Sequence, residues 1–321
     1  MKCSGRGFAW SFGVVQRSKV RVQHSLLNSR LHPSMIQLLD IRYVRLGTRS
    51  LDTADRFARE VIGLQAVRHE GGARYYRSDD RDHTLVYFEG DPADHTVGFE
   101  LRDAAALDAA AAQLSNAGMA VRAGTADECE QRHIGAFIHF RDPTGNPIEL
   151  VVRPHHSGRR YFASRDAGIT GFSHVGLCTT NATRDEAFWT QALGARVSDR
   201  IGDAALLRID EVHHRVALFP TTHAGVQHVN HQVASIDDVM RAWYWLKERG
   251  VRIVFGPGRH PTSSAVFLYF EGPDGMVYEY STGVRSIPPE QEGSYQPRQF
   301  PRANESFCMW GSVPDIAEFR T

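Results

Sequence analysis

The chain has 321 residues and a formal net charge of zero. This length exceeds that of one average domain and predicts two. The balanced charge argues against nucleic acid or another polyanion as a partner, and no apolar run reaches the roughly 18 residues of a membrane span. The four cysteines are widely spaced without a CxxC pair, which excludes a cysteine-rich zinc site and fits a reducing, cytoplasmic compartment.

Residues 1–34 differ in composition from the rest of the chain. They contain six Lys or Arg residues, no Asp or Glu, and only short apolar runs. Basic leaders without acidic residues are typical of targeting peptides, but no clear apolar region with a cleavage site follows. We therefore interpret this segment as an extension or leader, expected to be disordered, and begin the fold near Met35.

The first half alternates between strand-like and helix-like patterns. Apolar residues recur at helical spacing behind Ser50, a preferred N-cap residue. We predict helices at 50–62 and 104–116, and strands at 36–47, 66–77, 82–89, 95–102, 136–140 and 147–152.

The same order of elements follows in the second half. Thr183 and Glu186 have the spacing of a capping box and are expected to begin its first helix. A Pro-Asp-Gly turn joins its last two strands into a hairpin. We predict helices at 183–193 and 236–249, and strands at 171–178, 195–200, 204–209, 215–219, 229–233, 265–271 and 276–281.

An internal repeat explains this order. Three pairs of segments match, beginning at Ile41 and Phe172, at Val97 and Asn230, and at Ala136 and Ala265. The repeat predicts an α+β fold of two tandem domains, each made of two βαβββ units that form an open, barrel-like sheet. We expect the domains at 36–153 and 169–283, a linker at 154–168 and a tail at 284–321.

The alignment of the halves points to a metal site in the second one. It pairs three metal-competent side chains with residues of the first half: His174 with Tyr43, His231 with Gly98, and Glu279 with Glu149. Each of the three lies in phase with apolar or small residues two positions away on its strand, so all are expected on the concave face of the sheet. Two neutral imidazoles and one carboxylate form a facial triad, which leaves three positions of an octahedral Fe(II) for a bidentate substrate and O2.

Other side chains near this triad are candidates for acid–base chemistry. His214 is in phase with apolar neighbours and is expected to face inward, whereas His213 is expected to face outward. His260 follows a glycine-rich turn, and Tyr269 ends a hairpin strand. We assign no role to the histidines in linker or loop sequence: His155, His156, His223 and His228.

The stretch from Gly258 to Glu279 resembles the signature of type I, two-domain extradiol catechol dioxygenases of the vicinal oxygen chelate superfamily. In that signature Gly-x-His is followed by an apolar-Tyr pair, a Pro-x-Gly turn and a Glu. These positions are filled here by His260, Leu268-Tyr269, Pro273-Asp-Gly275 and Glu279. Gly272 replaces the polar or small residue that the signature usually has before the proline. We interpret this as a local variant of the turn. The resemblance covers about residues 36–283.

This resemblance implies both residue roles and a reaction. His174, His231 and Glu279 match the Fe(II) ligands, with Mn(II) as an alternative metal. His214 matches the acid–base histidine, and His260 and Tyr269 match residues beside the metal. The implied reaction is extradiol, or meta, cleavage of a catechol by O2 to a 2-hydroxymuconic semialdehyde-type product, within aromatic hydrocarbon catabolism.

Other functions stay open at this point. A glyoxalase-like isomerase or a 4-hydroxyphenylpyruvate dioxygenase-like enzyme has the same fold, although the isomerases usually place four protein ligands on the metal. A binding protein without activity is expected to lose the ligands in both halves. We expect a catechol and O2 as partners and a homo-oligomer as the assembly. The ring substituent is not determined, and three basic residues are candidates for binding a carboxylate on it: Arg259, Arg285 and Arg298.

Overall fold

The structure, a computed structural model, describes residues 35–320. The interpretation of residues 1–34 lies outside this part of the chain. The first half contains the strands β1 (Asp40–Thr48), β2 (Gln65–Glu70), β3 (Ala73–Arg77), β4 (Leu85–Glu89), β5 (His95–Glu100), β6 (Arg122–Ala123), β7 (Ile134–Arg141) and β8 (Pro147–Pro154).

The second half repeats this set. Its strands are β9 (Ile169–Thr179), β10 (Arg196–Ile201), β11 (Ala204–Arg208), β12 (Val216–Pro220), β13 (Val226–Val233), β14 (Ile253–Arg259), β15 (Val266–Glu271) and β16 (Val277–Thr282). The tail adds a short strand, β17 (Arg298–Phe300).

Helices pack against both sheets. They are α1 (Leu51–Arg56), which continues as a π-helical turn at Phe57–Ile62, α2 (Ala104–Asn116), α3 (Ala126–Arg132), α4 (Ala182–Gln191), α5 (Ile236–Glu248), α6 (Pro289–Glu292) and α7 (Asn304–Phe307). Short 3-10 turns lie at Pro273–Gly275 and Ala317–Phe319. None of the described helices is long and apolar enough to cross a membrane.

The two sheets have the same strand order. Within residues 35–320, the first runs β2-β3-β4-β1-β5-β8-β7-β6. The second, followed from its other end, runs β17-β10-β11-β12-β9-β13-β16-β15-β14, so β17 is its only addition. In each half the first strand lies at the centre and pairs antiparallel with the strand before the long helix. The predicted α+β fold of two barrel-like repeats is therefore confirmed.

The expected capping box at the start of the second half's first helix is wrong. α4 begins one residue after Asn181, whose side chain accepts a hydrogen bond from the backbone N–H of Arg184. Asn is at least as good an N-cap as Thr. The earlier start lets the buried carboxylate of Asp185 accept a hydrogen bond of 2.5 Å from Thr179 at the end of β9.

One apolar core continues through both halves. Trp189 of α4 is fully buried and lies edge-on to Phe99 of β5, with ring centroids 5.5 Å apart. On the other side, the Tyr280 hydroxyl of β16 donates to the backbone oxygen of Ile62 at 2.6 Å. Truncating such a buried aromatic residue typically costs about 3–5 kcal/mol, so these contacts stabilise the packing of the two halves.

Candidate metal centre and active site

A cluster of three buried metal-binding side chains lies in the second half. His174 and His228 place their Nε2 atoms 2.9 Å apart, and Oε2 of Glu279 lies 3.1 Å from the first and 3.4 Å from the second. The donor atoms all fall within 4.8 Å of one another, and each residue is at most 2% exposed. In the described part of the chain, this is the group of His, Cys, Asp and Glu side chains with the geometry of a metal site.

Strand register brings these side chains together. β13 lies between β9 and β16, and its residue Asn230 pairs with His174 on one side and Glu279 on the other. Residues that pair across adjacent strands, and residues two apart on one strand, point to the same face of a sheet. His228 precedes Asn230 by two residues, so it points toward the same face as the other two donors.

His231, which the sequence predicted as a ligand, is not part of this cluster. Its side chain lies on the opposite face of β13, where its ring packs edge-on to Phe172 at 5.8 Å. Neither ring nitrogen has a hydrogen-bond partner among the described residues, and burial lowers the pKa of His231 to about 3. His228, to which the sequence analysis assigned no role, takes this place in the cluster. The strand was misread by an odd number of residues, and such a shift moves every side chain to the other face.

The error arose in the alignment of the two halves. Sequence matching paired Gly98 with His231, but Gly98 lies opposite Glu149 as Asn230 lies opposite Glu279. The N-caps of the following helices give the correct register. Asp103 follows Gly98 by five positions, and Ser235 follows Asn230 by the same number. Aligning the halves on these caps would have excluded His231 from the face of the carboxylate.

The charges of the cluster suit a divalent cation. Burial raises the pKa of Glu279, but the neighbouring imidazoles of His174, His260 and His228 outweigh it, so the net shift is downward and the carboxylate is ionised. Its Oε2 makes no hydrogen bond of acceptable geometry in the described chain, despite being buried. A buried charge without such partners is costly unless a cation meets it.

The tautomer of His228 supports the same conclusion. Its Nδ1–H donates to the side-chain oxygen of Gln227, which leaves the lone pair of Nε2 facing Glu279. Burial, with His174 nearby, lowers the pKa of His228 to about 3, so the ring is neutral. An imidazole whose second nitrogen is fixed by a hydrogen bond is the usual form of a histidine metal ligand. The residues present therefore fit a divalent metal.

His260 and Tyr269, both predicted as catalytic, lie beside this cluster. Nδ1 of His260 donates to the backbone oxygen of Phe307 at 2.7 Å, and its Nε2 lies 3.2 Å from the Tyr269 hydroxyl. Tyr269 pairs with Glu279 across β15 and β16, and burial, then the charge of this carboxylate, raises the pKa of the phenol. Tyr269 is therefore a neutral hydroxyl that can donate a hydrogen bond.

The paired histidines before β12 are both buried. His214 lies beside the cluster, with its ring centroid 4.2 Å from that of His174. His213, which was expected to face outward, has no exposed surface, and its Nε2 lies 2.9 Å from Oδ2 of Asp199. The outward assignment is wrong because a neighbouring strand supplies a buried carboxylate, which single-strand periodicity cannot reveal.

A mostly apolar cavity opens beside these groups. It is lined by His214, His228, His260 and Tyr269. The tail adds Phe307 and Phe319 to its wall, and their rings stack with centroids 5.1 Å apart. Ile201, Leu206, Ala217 and Phe219 complete its apolar lining.

The first half has an arginine near the carboxylate that corresponds to Glu279. Nε and Nη2 of Arg132 each donate to Glu149 at 2.8 Å, and the Tyr43 hydroxyl donates to it at 2.6 Å. Burial raises the pKa of Glu149, but the hydrogen bonds from His139, Arg132 and Tyr43 outweigh it and bring the pKa to about 2. A guanidinium from α3, a helix that the sequence analysis missed, compensates this charge.

Known proteins share this architecture. The family model of the Glyoxalase/Bleomycin resistance protein/Dioxygenase superfamily matches residues 40–150 and 171–280. A biphenyl-2,3-diol 1,2-dioxygenase of Sphingomonas paucimobilis is 26% identical over 300 residues, which cover 87% of this chain and 99% of the relative. An iron-dependent extradiol dioxygenase of Rhodococcus jostii (strain RHA1) is 26% identical over 304 residues, with 86% and 97% covered.

A solved structure is similar over the same length. The Mn(II)-bound glyoxalase from Novosphingobium aromaticivorans superposes with a TM-score of 0.78 and 26% identity, covering 89% of this chain and 94% of its own. The two regions that the family model matches coincide with the two repeats of the fold. The chain thus belongs to the Glyoxalase/Bleomycin resistance protein/Dioxygenase superfamily.

Proposed function

We propose that the chain is an extradiol dioxygenase that cleaves the ring of a catechol with O2 at an Fe(II) ion held by His174, His228 and Glu279. The observation that carries this proposal is the cluster of three donors beside a mostly apolar cavity, which is lined by the donor His228 and by His214, His260 and Tyr269. Three protein donors leave room for a bidentate substrate and O2.

The identity of the metal is inferred from the donors and from the relatives. One relative is named as iron-dependent and one similar structure is Mn(II)-bound. Nitrogen and oxygen donors suit both metals, so Fe(II) is our first choice and Mn(II) the alternative. When bound, the metal would acidify the catechol hydroxyls and bring substrate and O2 into electronic contact.

The side chains around the donors would bind and deprotonate the substrate. The neutral Tyr269 hydroxyl, held near Nε2 of His260, would donate a hydrogen bond to a catecholate oxygen. His214, whose ring centroid lies 4.2 Å from that of His174, would accept a proton from the second hydroxyl. The apolar walls would keep bulk water from the reacting ring.

The cavity lining favours a catechol with an apolar substituent. Arg298 and Arg285, which were candidates for binding a carboxylate on the ring, both direct their guanidinium groups to Asp199. Nε of Arg259 donates to the backbone oxygen of Ser264. The remaining lining is apolar except for Thr262 and Ser263, and the biphenyl-2,3-diol named in one relative has an apolar substituent.

Glyoxalase-like isomerisation is the second candidate, because one similar structure has that name. Isomerases of this superfamily usually use four protein ligands, whereas the cluster in the described chain has three. This difference supports the dioxygenase. The ring-fission product, the cytoplasmic location and the homo-oligomeric state stay predictions.

The test is ring cleavage by the full-length protein. Protein purified without O2 and loaded with Fe(II) is mixed with catechol, 3-methylcatechol and biphenyl-2,3-diol in air-saturated buffer. We expect a yellow ring-fission product and consumption of one O2 per substrate. Absence of colour with all three, in protein shown to contain iron, would reject the dioxygenase, and turnover of a glutathione hemithioacetal would favour the isomerase.

A further inference from the structure

We propose that Asp199 and His213 are positioning residues that hold the proton of His214 on Nδ1, so that its Nε2 is a free base toward the cavity. The catalytic consequence rests on the proposed function. The tautomer itself is a property of the folded chain and is tested separately.

A continuous row of hydrogen bonds carries this inference. Oδ2 of Asp199 lies 2.9 Å from Nε2 of His213, and Nδ1 of His213 lies 3.0 Å from Nδ1 of His214. Asp199 and His213 have no exposed surface, and His214 is 6% exposed. Water therefore does not compete for these bonds, and each donor must match an acceptor.

The carboxylate at the far end of the row is ionised. Arg298 donates to Asp199 through its backbone N–H at 2.9 Å, its Nε at 3.1 Å and its Nη2 at 2.6 Å, and Arg285 adds a longer contact of 3.4 Å. Burial raises the pKa of Asp199, but hydrogen bonds from His213 and Arg298 outweigh it, so the net shift is downward. An ionised carboxylate only accepts hydrogen bonds.

The direction of each bond follows from that charge. Because Asp199 accepts, Nε2 of His213 carries the proton. Burial lowers the pKa of His213, so the ring is neutral and its Nδ1 is bare. The bond between the two Nδ1 atoms then requires a proton on Nδ1 of His214, which leaves Nε2 of His214 as an acceptor.

The first half offers independent support, because a corresponding row lies there. β2 and β10 each have an irregularity in strand pairing just before Arg68 and Asp199, so these two residues correspond. In the first half Arg68 donates to Asp82 at 2.6 Å, and Asp82 lies 2.8 Å from Nδ1 of His83.

Both halves thus fix a buried histidine through Nδ1 by means of the residue that precedes it in the chain. The tautomer is the same, since Nδ1 of His83 donates to a carboxylate. The rows differ in their middle member, which is the carboxylate of Asp82 in the first half and the neutral imidazole of His213 in the second. In the second half the negative charge, on Asp199, is therefore separated from the cavity histidine by one more residue.

This arrangement defines one proton transfer. The O–H bond of a substrate hydroxyl breaks, the proton binds to Nε2 of His214, and the electron pair stays on the substrate oxygen. The imidazolium keeps its Nδ1–H bond to His213, and Asp199 stabilises the new positive charge through that bond. Arg298 belongs to β17, so the tail helps to fix the carboxylate that orients this base.

Nitrogen NMR of the full chain tests the tautomer without any turnover. The chain is labelled with 15N-histidine and loaded with diamagnetic Zn(II), which accepts the same ligand types. His213→Gln and His214→Gln identify the two spin systems. We expect Nε2–H for His213 and Nδ1–H for His214, and an Nε2–H form of His214 would overturn the proposal.

Matched variants at position 213 test the consequence for catalysis. The amide of Gln in His213→Gln can donate to Asp199 and accept from His214, whereas His213→Leu can do neither. We expect His213→Leu to lower kcat at least about tenfold with KM changed less than about twofold, while His213→Gln keeps kcat within about threefold. Asp199→Asn should also lower kcat rather than raise KM.

Each outcome supports or rejects the proposal. A His213→Leu protein with wild-type kcat, or equal losses in both His213 variants, would reject it. If His213→Leu does not fold, as circular dichroism would reveal, the NMR result on the wild-type chain decides. If wild-type protein with bound iron cleaves no catechol, the proposed function fails while the tautomer result still stands.

Discussion

Arg132 and Glu149 form a bidentate ion pair at the register position that Glu279 occupies in the second half. The two repeats therefore compensate the same buried carboxylate differently. In the first half a guanidinium does so, and in the second two imidazoles surround the carboxylate and create a place for a cation. The carboxylate is thus part of the repeat, and its surroundings decide its function.

The first prediction concerns removal of that arginine. Arg132→Met leaves the Glu149 carboxylate buried without its main partner, and breaking a buried pair in this way typically costs about 3–5 kcal/mol. We expect a loss of this size in urea unfolding, with unchanged metal content per folded chain. If the metal content per folded chain fell together with the free energy of unfolding, the ion pair of the first half and the metal cluster of the second would not be independent.

Acid denaturation gives a second prediction. Glu149 has a pKa of about 2 in the folded chain, below the usual 4.5, so its stabilisation is full above pH 4.5 and is lost as the pH falls toward 2. The difference in the free energy of unfolding between wild type and Glu149→Gln should shrink by about 2 kcal/mol as the pH falls from 5 to 3, at 1.36 kcal/mol per unit of pKa. A gap that stays constant in urea titrations would contradict the low pKa.

The third prediction tests the hydroxyl of Tyr269. Tyr269→Phe removes the neutral donor beside Glu279, and we expect kcat to fall about 10- to 100-fold with little change in metal content. Tyr278→Phe is the matched control, because Tyr278 is equally buried but bonds to Tyr87 between the halves. Equal losses of kcat in the two variants would mean that packing, rather than the hydroxyl near the metal, is responsible.

The fourth prediction concerns the aromatic residues that the tail adds to the cavity wall. Phe319→Ala should enlarge the space for a ring substituent and raise kcat/KM for biphenyl-2,3-diol relative to catechol by about tenfold. Stopped-flow measurements of the ring-fission product with both substrates give this ratio. An unchanged ratio in a folded variant would show that the tail does not contact the substituent.

Much of this molecule was predictable from sequence, because the repeat and its apolar periodicity specify the order of the elements. His174, Glu279 and Tyr269 were found because each lies in phase with apolar or small residues two positions away on its own strand. The error at His231 came from the alignment of the two halves. The pattern of β13 could not correct it, because every residue but one from Gln227 to Val233 is buried and no face stands out.

Features formed by distant segments escaped the sequence analysis. Arg132 reaches Glu149 from a helix 17 residues away, and Asp199 reaches His213 from a different strand. No local pattern records such pairs, since each partner by itself is an ordinary polar residue. The three-dimensional register of strands was needed to bring them together.

The most direct test of the metal site compares His228→Leu with His231→Leu. The same substitution is made on both faces of β13, and His231 has no hydrogen bond in the described chain, so leucine should fit there at little cost. Iron per folded chain is measured by mass spectrometry of metals after Fe(II) loading and desalting. We expect His228→Leu to retain less than about a tenth of the wild-type iron, as loss of a ligand implies, and His231→Leu to retain all of it. Iron loss in His231→Leu with retention in His228→Leu would contradict the site.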